Sequence, residues 1–430
     1  MSDQADLLDH SHNLRVSADI IVRQNIFERL HATLPDAKLF NSNEFLDKFF
    51  KKPDDEKERI MDYGSFRFFA ETIQPNSQTS LFFDHFAFLS PCSFLLLPRT
   101  ENECLRDTTL MYYCNKKHLA VQFILKLALF YCEDSNGVIS EASFQAFVEN
   151  ELIAASSELK SKLNPSFYPY YSCTVSRKVF FFLDSPRRGF IKLQSFINSK
   201  LFLECLDATT SHSMDDSASQ NSLQSWFSAE SALYMYEKYL ELDLDGNGML
   251  SKSELSRFGN GTLTNTFLSR FFEECVSYKN DESSQEEIDY RVYLDLVLIL
   301  TNISSKPALH ILFRILDSRG RGALNVYDFN LFYKDLKAYL DRIGIETPPF
   351  EHLLSEIFDM VRPVNSWEIT QKDLECSGCA GTVVGILIDA TVFIEYENRE
   401  AVTGVDENDI DAEVMAIYDE EAEAAAISVL

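Results

Sequence analysis

Residues 243–254 read DLDGNGMLSKSE, and the predicted architecture rests on these twelve residues. Its oxygen-bearing residues recur at positions one, three, five, nine and twelve, and a glycine stands at position six. Calcium is a hard cation that takes about six to eight oxygen ligands, and a twelve-residue loop with this spacing supplies them. The ligands predicted from the side chains and one backbone carbonyl are those of Asp243, Asp245, Asn247, Met249, Ser251 and Glu254.

The flanking pattern is typical of an EF-hand, the helix–loop–helix unit that carries such a loop. Gly248 permits the sharp turn, because glycine adopts a left-handed backbone without steric cost. Glu254 would bind with both carboxylate oxygens, whereas Ser251 would act through a bridging water. The same two residues form a capping box, which starts the next helix. Apolar residues at helical spacing over 233–240 predict the preceding helix. A loop that fills only at high calcium is the alternative interpretation.

Related units recur along the chain. Loops 132–143, 184–195, 243–254 and 317–328 each place glycine at position six and an aliphatic residue at position eight. Such repetition indicates a tandem array. EF-hands pair through a short β contact at position eight, so the 243–254 loop needs a neighbour. The segment around Ile288 is the predicted partner, although it lacks the glycine.

The other loops are poor in ligands. In 317–328, Arg319 and Arg321 stand where oxygen ligands belong, and Asp328 is shorter than the usual glutamate, so we expect no calcium there. In 184–195, positions three, five and twelve are Pro, Arg and Ser, which again predicts no binding. Loop 132–143 begins with Cys132 and ends with Ser143, and whether it binds any metal stays open.

Composition supports a helical protein. The 430 residues include 35 Phe but only 14 Gly and 12 Pro, which favours packed helices over turn-rich β structure. The predicted fold class is mainly all-α, with tandem EF-hand units in two bundles and a divergent helical N-terminal region. The predicted domains are a divergent N-terminal region at 1–114, a front pair of degenerate EF-hands at 115–206, a Ser-rich linker at 207–225, an EF-hand module with the intact loop at 226–402, and an acidic tail at 403–430.

The charge of the chain narrows its partners. Formal net charge is −28, and nine acidic residues without Lys or Arg lie between Asp406 and Glu423. Such a field repels nucleic acid and anionic lipid, and it favours cations and basic partner surfaces. Simple solubility is the alternative reading. No apolar run reaches the roughly 18 residues of a membrane span, so neither nucleic acid nor membrane is an expected partner.

Enzymatic and secretory signatures are missing from the sequence. Nine Cys, an odd number without framework spacing, and the lack of a secretory apolar segment predict a reducing, cytoplasmic compartment. The Cys-x-x-Cys at 376–379 lacks the second ligand pair of a zinc site. We find neither a nucleophile–base pattern nor the motifs of metallophosphatases or kinases. The sequence therefore predicts a protein that is not an enzyme.

Several stretches closely resemble one family, the B″ regulatory subunits of protein phosphatase 2A, and most of all its gamma type. They read SFY at 166–168, RKVFFFLD at 177–184, WFSAESAL at 226–233, EIFDMV at 356–361, ILID at 386–389 and YENRE at 396–400, together with the loop and its flanks at 239–256. The resemblance covers about residues 115–402.

The resemblance implies a regulatory role rather than a reaction. Members look like elongated double EF-hand modules that join a HEAT-repeat scaffold to a catalytic subunit, select phosphoprotein substrates, and place the holoenzyme at centrosomes and the microtubule cytoskeleton. A centrosomal anchor protein and some nuclear localisation are further expectations. The family's calcium ligands carry over to the 243–254 loop, but 317–328 departs from members with a second site. Phe66, Phe68 and Phe69 are candidate scaffold contacts. A stand-alone calcium sensor or adaptor is the alternative function.

Overall fold

The computed structural model of the protein describes residues 21–30, 47–52, 59–73, 91–100, 102–133, 136–209, 225–275, 278–279 and 286–402. Most of the predicted linker and all of the predicted acidic tail lie outside these residues. Helices dominate the described part, which confirms the predicted mainly all-α fold class. Its strands are two or three residues long.

The helices are numbered in chain order. They are α1 (21–30), α2 (Tyr63–Ile73), α3 (Pro91–Leu96), α4 (Asp107–Lys126), α5 (Glu141–Phe147), α6 (Ile153–Ala155), α7 (Ser157–Lys162), α8 (Tyr168–Leu183), α9 (Leu193–Ile197), α10 (Lys200–Asp207), α11 (Ala229–Leu242), α12 (Lys252–Leu255), α13 (Asn265–Glu274), α14 (Tyr290–Thr301), α15 (Lys306–Leu316), α16 (Val326–Arg342), α17 (Phe350–Val361), α18 (Gln371–Ser377), α19 (Ala380–Ile388) and α20 (Ala390–Val402). Single π-helical turns at Leu127–Tyr131 and Val148–Leu152 extend α4 and α5, and 3₁₀ turns lie at Pro165–Phe167 and Phe258–Gly261.

The strands are β1 (Ile60–Met61), β2 (Leu105–Arg106), β3 (Val138–Ser140), β4 (Phe190–Lys192), β5 (Leu250–Ser251), β6 (Tyr278–Lys279), β7 (Glu286–Ile288), β8 (Ala323–Leu324) and β9 (Ile369–Thr370). They form four small antiparallel sheets with the orders β1–β2, β3–β4, β5–β7–β6 and β8–β9.

The chain divides into two compact units, residues 1–234 and 235–430. The division falls inside α11, whereas the Ser-rich composition predicted a linker at 207–225. The domain bounds predicted from the sequence stay a prediction.

The first unit has a small N-terminal core beside β1 and β2. Phe66 and Phe69 on α2 are 1% and 0% exposed and pack with Phe94 and Leu105. The prediction that they contact a scaffold is therefore wrong for these two residues. Both lie on the inner face of α2, where their side chains are buried in the core and cannot reach a partner. Phe68 points outward and is 60% exposed.

The first unit also contains a pair of helix–loop–helix units. Strands β3 and β4 pair with Ile139 opposite Ile191, which are the position-eight residues of loops 132–143 and 184–195. Both isoleucines are buried, and the Phe144 ring packs edge-on against Phe196 at 5.1 Å. The phenylalanines of α5, α8 and α9 thus build the core that holds the pair together.

The second unit contains two further pairs. Leu250 of β5 lies opposite Ile288 of β7, which confirms Ile288 as the cryptic partner of the 243–254 loop. Leu324 of β8 lies opposite Ile369 of β9, so loop 317–328 pairs with a loop at 362–373. That last loop was not predicted from the sequence because Trp367 replaces the glycine of position six.

Among the described residues, no single helix is long and apolar enough to cross a membrane. Helices α14 and α15 pass that test only when joined, and they bend by 103° at their junction. Their apolar side chains form much of the second unit's core, with Leu294, Leu298, Leu312 and Ile315 all fully buried.

Candidate metal centre

The 243–254 loop is folded by hydrogen bonds from its own backbone. The Gly248 N–H donates to Asp243 Oδ2 at 3.0 Å, and the Asn247 N–H donates to Asp245 Oδ1 at 3.0 Å. The Met249 N–H donates to Asn247 Oδ1 at 2.7 Å. Gly248 has φ +80°, in the left-handed region that its position required. These bonds tie the side chains at positions one, three and five to the backbone of the loop.

Glu254 closes the loop from its far end. Its Oε1 accepts from the N–H groups of Leu244 at 2.9 Å and Asp245 at 3.4 Å. Its Oε2 accepts from the N–H of Ser251 at 2.9 Å and from the Ser251 hydroxyl at 2.7 Å. Ser251 Oγ accepts in turn from the Glu254 N–H, which completes the predicted capping box at the start of α12. Burial disfavours the charged form of Glu254, but these hydrogen bonds outweigh it and lower the pKa of the carboxyl.

The structure brings three of the six predicted ligand residues together as a carboxylate group. One oxygen from each of Asp243, Asp245 and Glu254 lies within 4.8 Å of the others. Within the part of the chain that the structure describes, this is the one such grouping of three or more. Asp243 Oδ1 is buried and has no hydrogen-bond partner there. A buried, unpartnered oxygen on a carboxylate that lies beside two others is costly without a cation, so the residues present fit a metal ion.

The remaining predicted ligand residues lie beside this group. Asn247 Nδ2 donates to Asp245 Oδ2 at 3.1 Å, and Met249 follows it with its backbone fixed by the Asn247 amide. Ser251 is 8% exposed and is held by Glu254. All six predicted residues therefore line one turn of chain.

Two residues that sequence reasoning missed contribute to the same loop. Glu287 on the cryptic partner strand lies opposite Ser251 and accepts from Asn247 Nδ2 at 3.5 Å. Arg257, after α12, donates to the backbone carbonyls of Leu242 at 2.6 Å and Glu241 at 3.1 Å at the end of α11. Arg257 lies three residues after the closing Glu254, but only the folded structure shows that its side chain reaches the end of α11.

The aromatic wall behind the loop fixes its position. The Tyr239 hydroxyl donates to the Gly248 carbonyl at 2.7 Å. Its ring packs between Tyr290 and Tyr293 of α14, with centroid distances of 5.2 Å to each. Burial, followed by the charge of Asp243, raises the pKa of Tyr239 well above its ordinary value. This hydroxyl therefore stays a neutral donor to the loop at physiological pH.

Helix–loop–helix units that pair through position eight, one of them with a converging carboxylate group, define a protein with an EF-hand-like fold. No protein-family model matches the chain. Individual relatives do: the gamma-type B″ regulatory subunit of serine/threonine-protein phosphatase 2A from Xenopus tropicalis is 37% identical over 362 residues, which is 84% of this chain and 76% of the relative. The human protein of the same name is 41% identical over 276 residues, 64% of this chain and 58% of the relative.

The chain therefore belongs to the B″ family of protein phosphatase 2A regulatory subunits. It spans about three quarters of the frog relative but under two thirds of the human one. Among solved structures, a PP2A PR70 holoenzyme chain is similar in fold, with a TM-score of 0.53 and 22% identity over 64% of this chain and 98% of that chain. These comparisons confirm the resemblance and the fold class.

Proposed function

We propose that this chain is a non-catalytic regulatory subunit of protein phosphatase 2A. It joins the HEAT-repeat scaffold to the catalytic subunit and directs the holoenzyme to its phosphoprotein substrates. The observation that carries this proposal is the identity of 37% to a gamma-type B″ protein across 84% of the chain. The sequence lacks the motifs of metallophosphatases and kinases, which supports a role in assembly rather than chemistry.

We further propose that loop 243–254 binds calcium. Asp243, Asp245 and Glu254 would supply carboxylate oxygens, Asn247 its amide oxygen, Met249 its carbonyl, and Ser251 a water-mediated contact. The unpartnered Asp243 Oδ1 supports this assignment. Bound calcium would offset the mutual repulsion of the three neighbouring carboxylates. Three carboxylates against a doubly charged ion leave one net negative charge, which suits affinities of about 10⁻⁷–10⁻⁵ M.

Residues of the loop would carry the effect of calcium binding to the helix and strand that flank it. Glu254 connects the start of α12 to the backbone of Leu244 and Asp245, so a ligand that engages Glu254 fixes the exit helix relative to the loop. β5 ties the same loop to β7 through Leu250 and Ile288. Ordering of these elements is the step by which calcium would favour contacts with the phosphatase subunits.

A native pulldown tests the assembly. Tagged full-length chain is recovered from cells in calcium or in a chelator, and co-purifying proteins are identified by mass spectrometry. The proposal expects both the scaffold and the catalytic subunit of protein phosphatase 2A. Recovery of neither in either buffer refutes it, and calcium-dependent capture of amphipathic peptides without them would favour the stand-alone sensor.

The same proposal places the holoenzyme at the centrosome and the microtubule cytoskeleton, with cytoplasmic and some nuclear protein. Fluorescence imaging of the tagged chain beside a centrosome marker tests this location. A uniform signal through mitosis would count against it, whatever the outcome of the pulldown.

A further inference from the structure

Two of the loops that lack calcium ligands keep the folded form of the intact loop. In loop 184–195 the Gly189 N–H donates to Asp184 Oδ2 at 2.7 Å, and in loop 317–328 the Gly322 N–H donates to Asp317 Oδ2 at 2.6 Å. The equivalent bond in the intact loop joins Gly248 to Asp243. All three loops thus share a hydrogen bond from the backbone N–H of position six to the aspartate side chain of position one.

This folded form buries carboxylates in both 184–195 and 317–328. The position-one aspartates Asp184 and Asp317 are 4% and 5% exposed, and Asp328 at position twelve is 1% exposed. Asp184 Oδ1 is buried with no hydrogen-bond partner among the described residues, as is Asp243 Oδ1. A buried carboxylate needs a nearby positive charge to stay ionised at modest cost.

Both loops place an arginine at position five, where the intact loop has Asn247. Arg188 Nε lies 3.9 Å from Asp184 Oδ1, the oxygen without a hydrogen-bond partner. Arg321 Nη2 lies 3.8 Å from Asp328 Oδ2. In each case a guanidinium from the position of the third oxygen ligand lies close to a buried carboxylate of its own loop.

Arg321 also reaches the paired loop. Its Nη1 lies 3.9 Å from Glu368 Oε1, next to β9, so one side chain faces a carboxylate of each loop in the pair. The Asp328 carboxylate is held further by the Ser318 hydroxyl at 2.6 Å and by the Asn325 N–H at 3.1 Å. Arg319, two residues earlier, lies instead over the Tyr327 ring at 4.9 Å. The two arginines of this loop therefore have different environments.

We infer that Arg188 and Arg321 are built-in cations that take the place of a metal ion in their loops and decide which loops can accept one. Loops 184–195 and 317–328 hold their folded form at any calcium concentration, and the calcium response is left to 243–254. This inference goes beyond the proposed function, because it concerns loops to which that function assigns no ion.

Hydrogen exchange on the full-length chain in a chelator tests the role of Arg321. Arg321→Asn removes the charge and installs the residue of the intact loop. The backbone N–H groups of residues 321 and 322, which bond to Asp317, should then exchange roughly three- to tenfold faster, a modest factor because the guanidinium is partly exposed. Arg321→Lys should retain most of the protection. Arg319→Asn is the matched control and should change exchange by less than about twofold.

Metal titration supplies the second measurement. In a Glu254→Gln background, which silences the intact loop, Arg319→Asp, Arg321→Asn and Asp328→Glu together recreate the ligand pattern in 317–328. Terbium titration should show one new equivalent, whereas the same variant with Arg321 retained should show none. Equal exchange in Arg321→Asn and the parent chain, or terbium binding with Arg321 in place, overturns the inference. A parent chain that binds no terbium would sink the 243–254 assignment alone.

Discussion

Glu254→Gln tests two separate roles of this side chain: its hydrogen bonds, which hold the metal-free 243–254 loop together, and its oxygens, which are predicted to bind calcium. Each oxygen of Glu254 accepts two hydrogen bonds, from Leu244 and Asp245 on one side and from the Ser251 N–H and hydroxyl on the other. In glutamine an NH₂ group replaces one of the two oxygens, and this hydrogen-bond donor would then face N–H and O–H groups that are donors themselves. The Ser251 hydroxyl can turn to accept, but one backbone bond to a charged acceptor is lost.

The size of the effect follows from that lost bond. A hydrogen bond to a charged acceptor contributes about 1.5–3 kcal/mol. A factor of ten corresponds to about 1.4 kcal/mol, so exchange of the affected loop N–H groups in a chelator should accelerate roughly 10- to 140-fold. Calcium affinity should fall by at least about 100-fold, since even indirect supporting groups of metal sites cost about 10- to 100-fold when removed.

Hydrogen exchange in a chelator and calorimetric calcium titration measure the two effects separately. Glu241→Gln is the matched control: it removes the same charge from an exposed side chain on α11 that pairs with Lys238. The control should leave exchange within the loop unchanged. If Glu254→Gln binds calcium as tightly as the parent chain, the ligand assignment is refuted. If its loop exchanges no faster in the chelator, the hydrogen-bond reasoning fails.

Three further outcomes follow from other positions. Gly248→Ala should destabilise the second unit by about 1–2 kcal/mol in urea titration, because φ +80° strains any side chain although the space there is open. Gly385→Ala should cost about 1–3 kcal/mol in the same assay, since its new Cβ would meet Val392 Cγ1 at 2.8 Å; equal stability would show that α20 shifts freely. Hydrogen bonds from the Thr370 side chain and N–H lower the pKa of Asp373 below the ordinary aspartate pKa of 3.8. The ionised carboxylate therefore stabilises the fold fully at pH values above 3.8, and this stabilisation is lost as the pH falls through the lower pKa of the folded state. Asp373→Asn should therefore be less stable than the parent chain at pH 6, and the difference should vanish in strong acid.

The sequence predicted what depends on short spacing. The twelve-residue pattern located the carboxylates of Asp243, Asp245 and Glu254, because each ligand position follows from the geometry of one turn of chain. The pairing of Leu250 with Ile288 was predicted for a different reason: units of this kind pair at position eight, and Ile288 precedes an apolar helical stretch. Local chemistry fixes such features before tertiary packing acts.

Other features depended on contacts between distant segments. Loop 362–373 was missed because it is identified by the pairing of Ile369 with Leu324, and its own residues at positions one to six resemble no loop of this kind. Phe66 and Phe69 read as surface candidates because aromatic residues suit both interfaces and cores. The opposite environments of Arg319 and Arg321 likewise require coordinates, since both lie in one short basic loop.

The Arg257 guanidinium links the residue stretch after α12 to the last carbonyls of α11. Those carbonyls belong to the negative end of the helix dipole, where a cation is stabilising. Widening of the angle between the two helices would stretch both bonds, so we expect the unit to resist the wide swing by which sensor EF-hands expose a groove. In this protein, we expect calcium binding to make the helix–loop–helix unit more rigid without changing its shape much. Its partners would then bind a surface that differs in stiffness rather than in form.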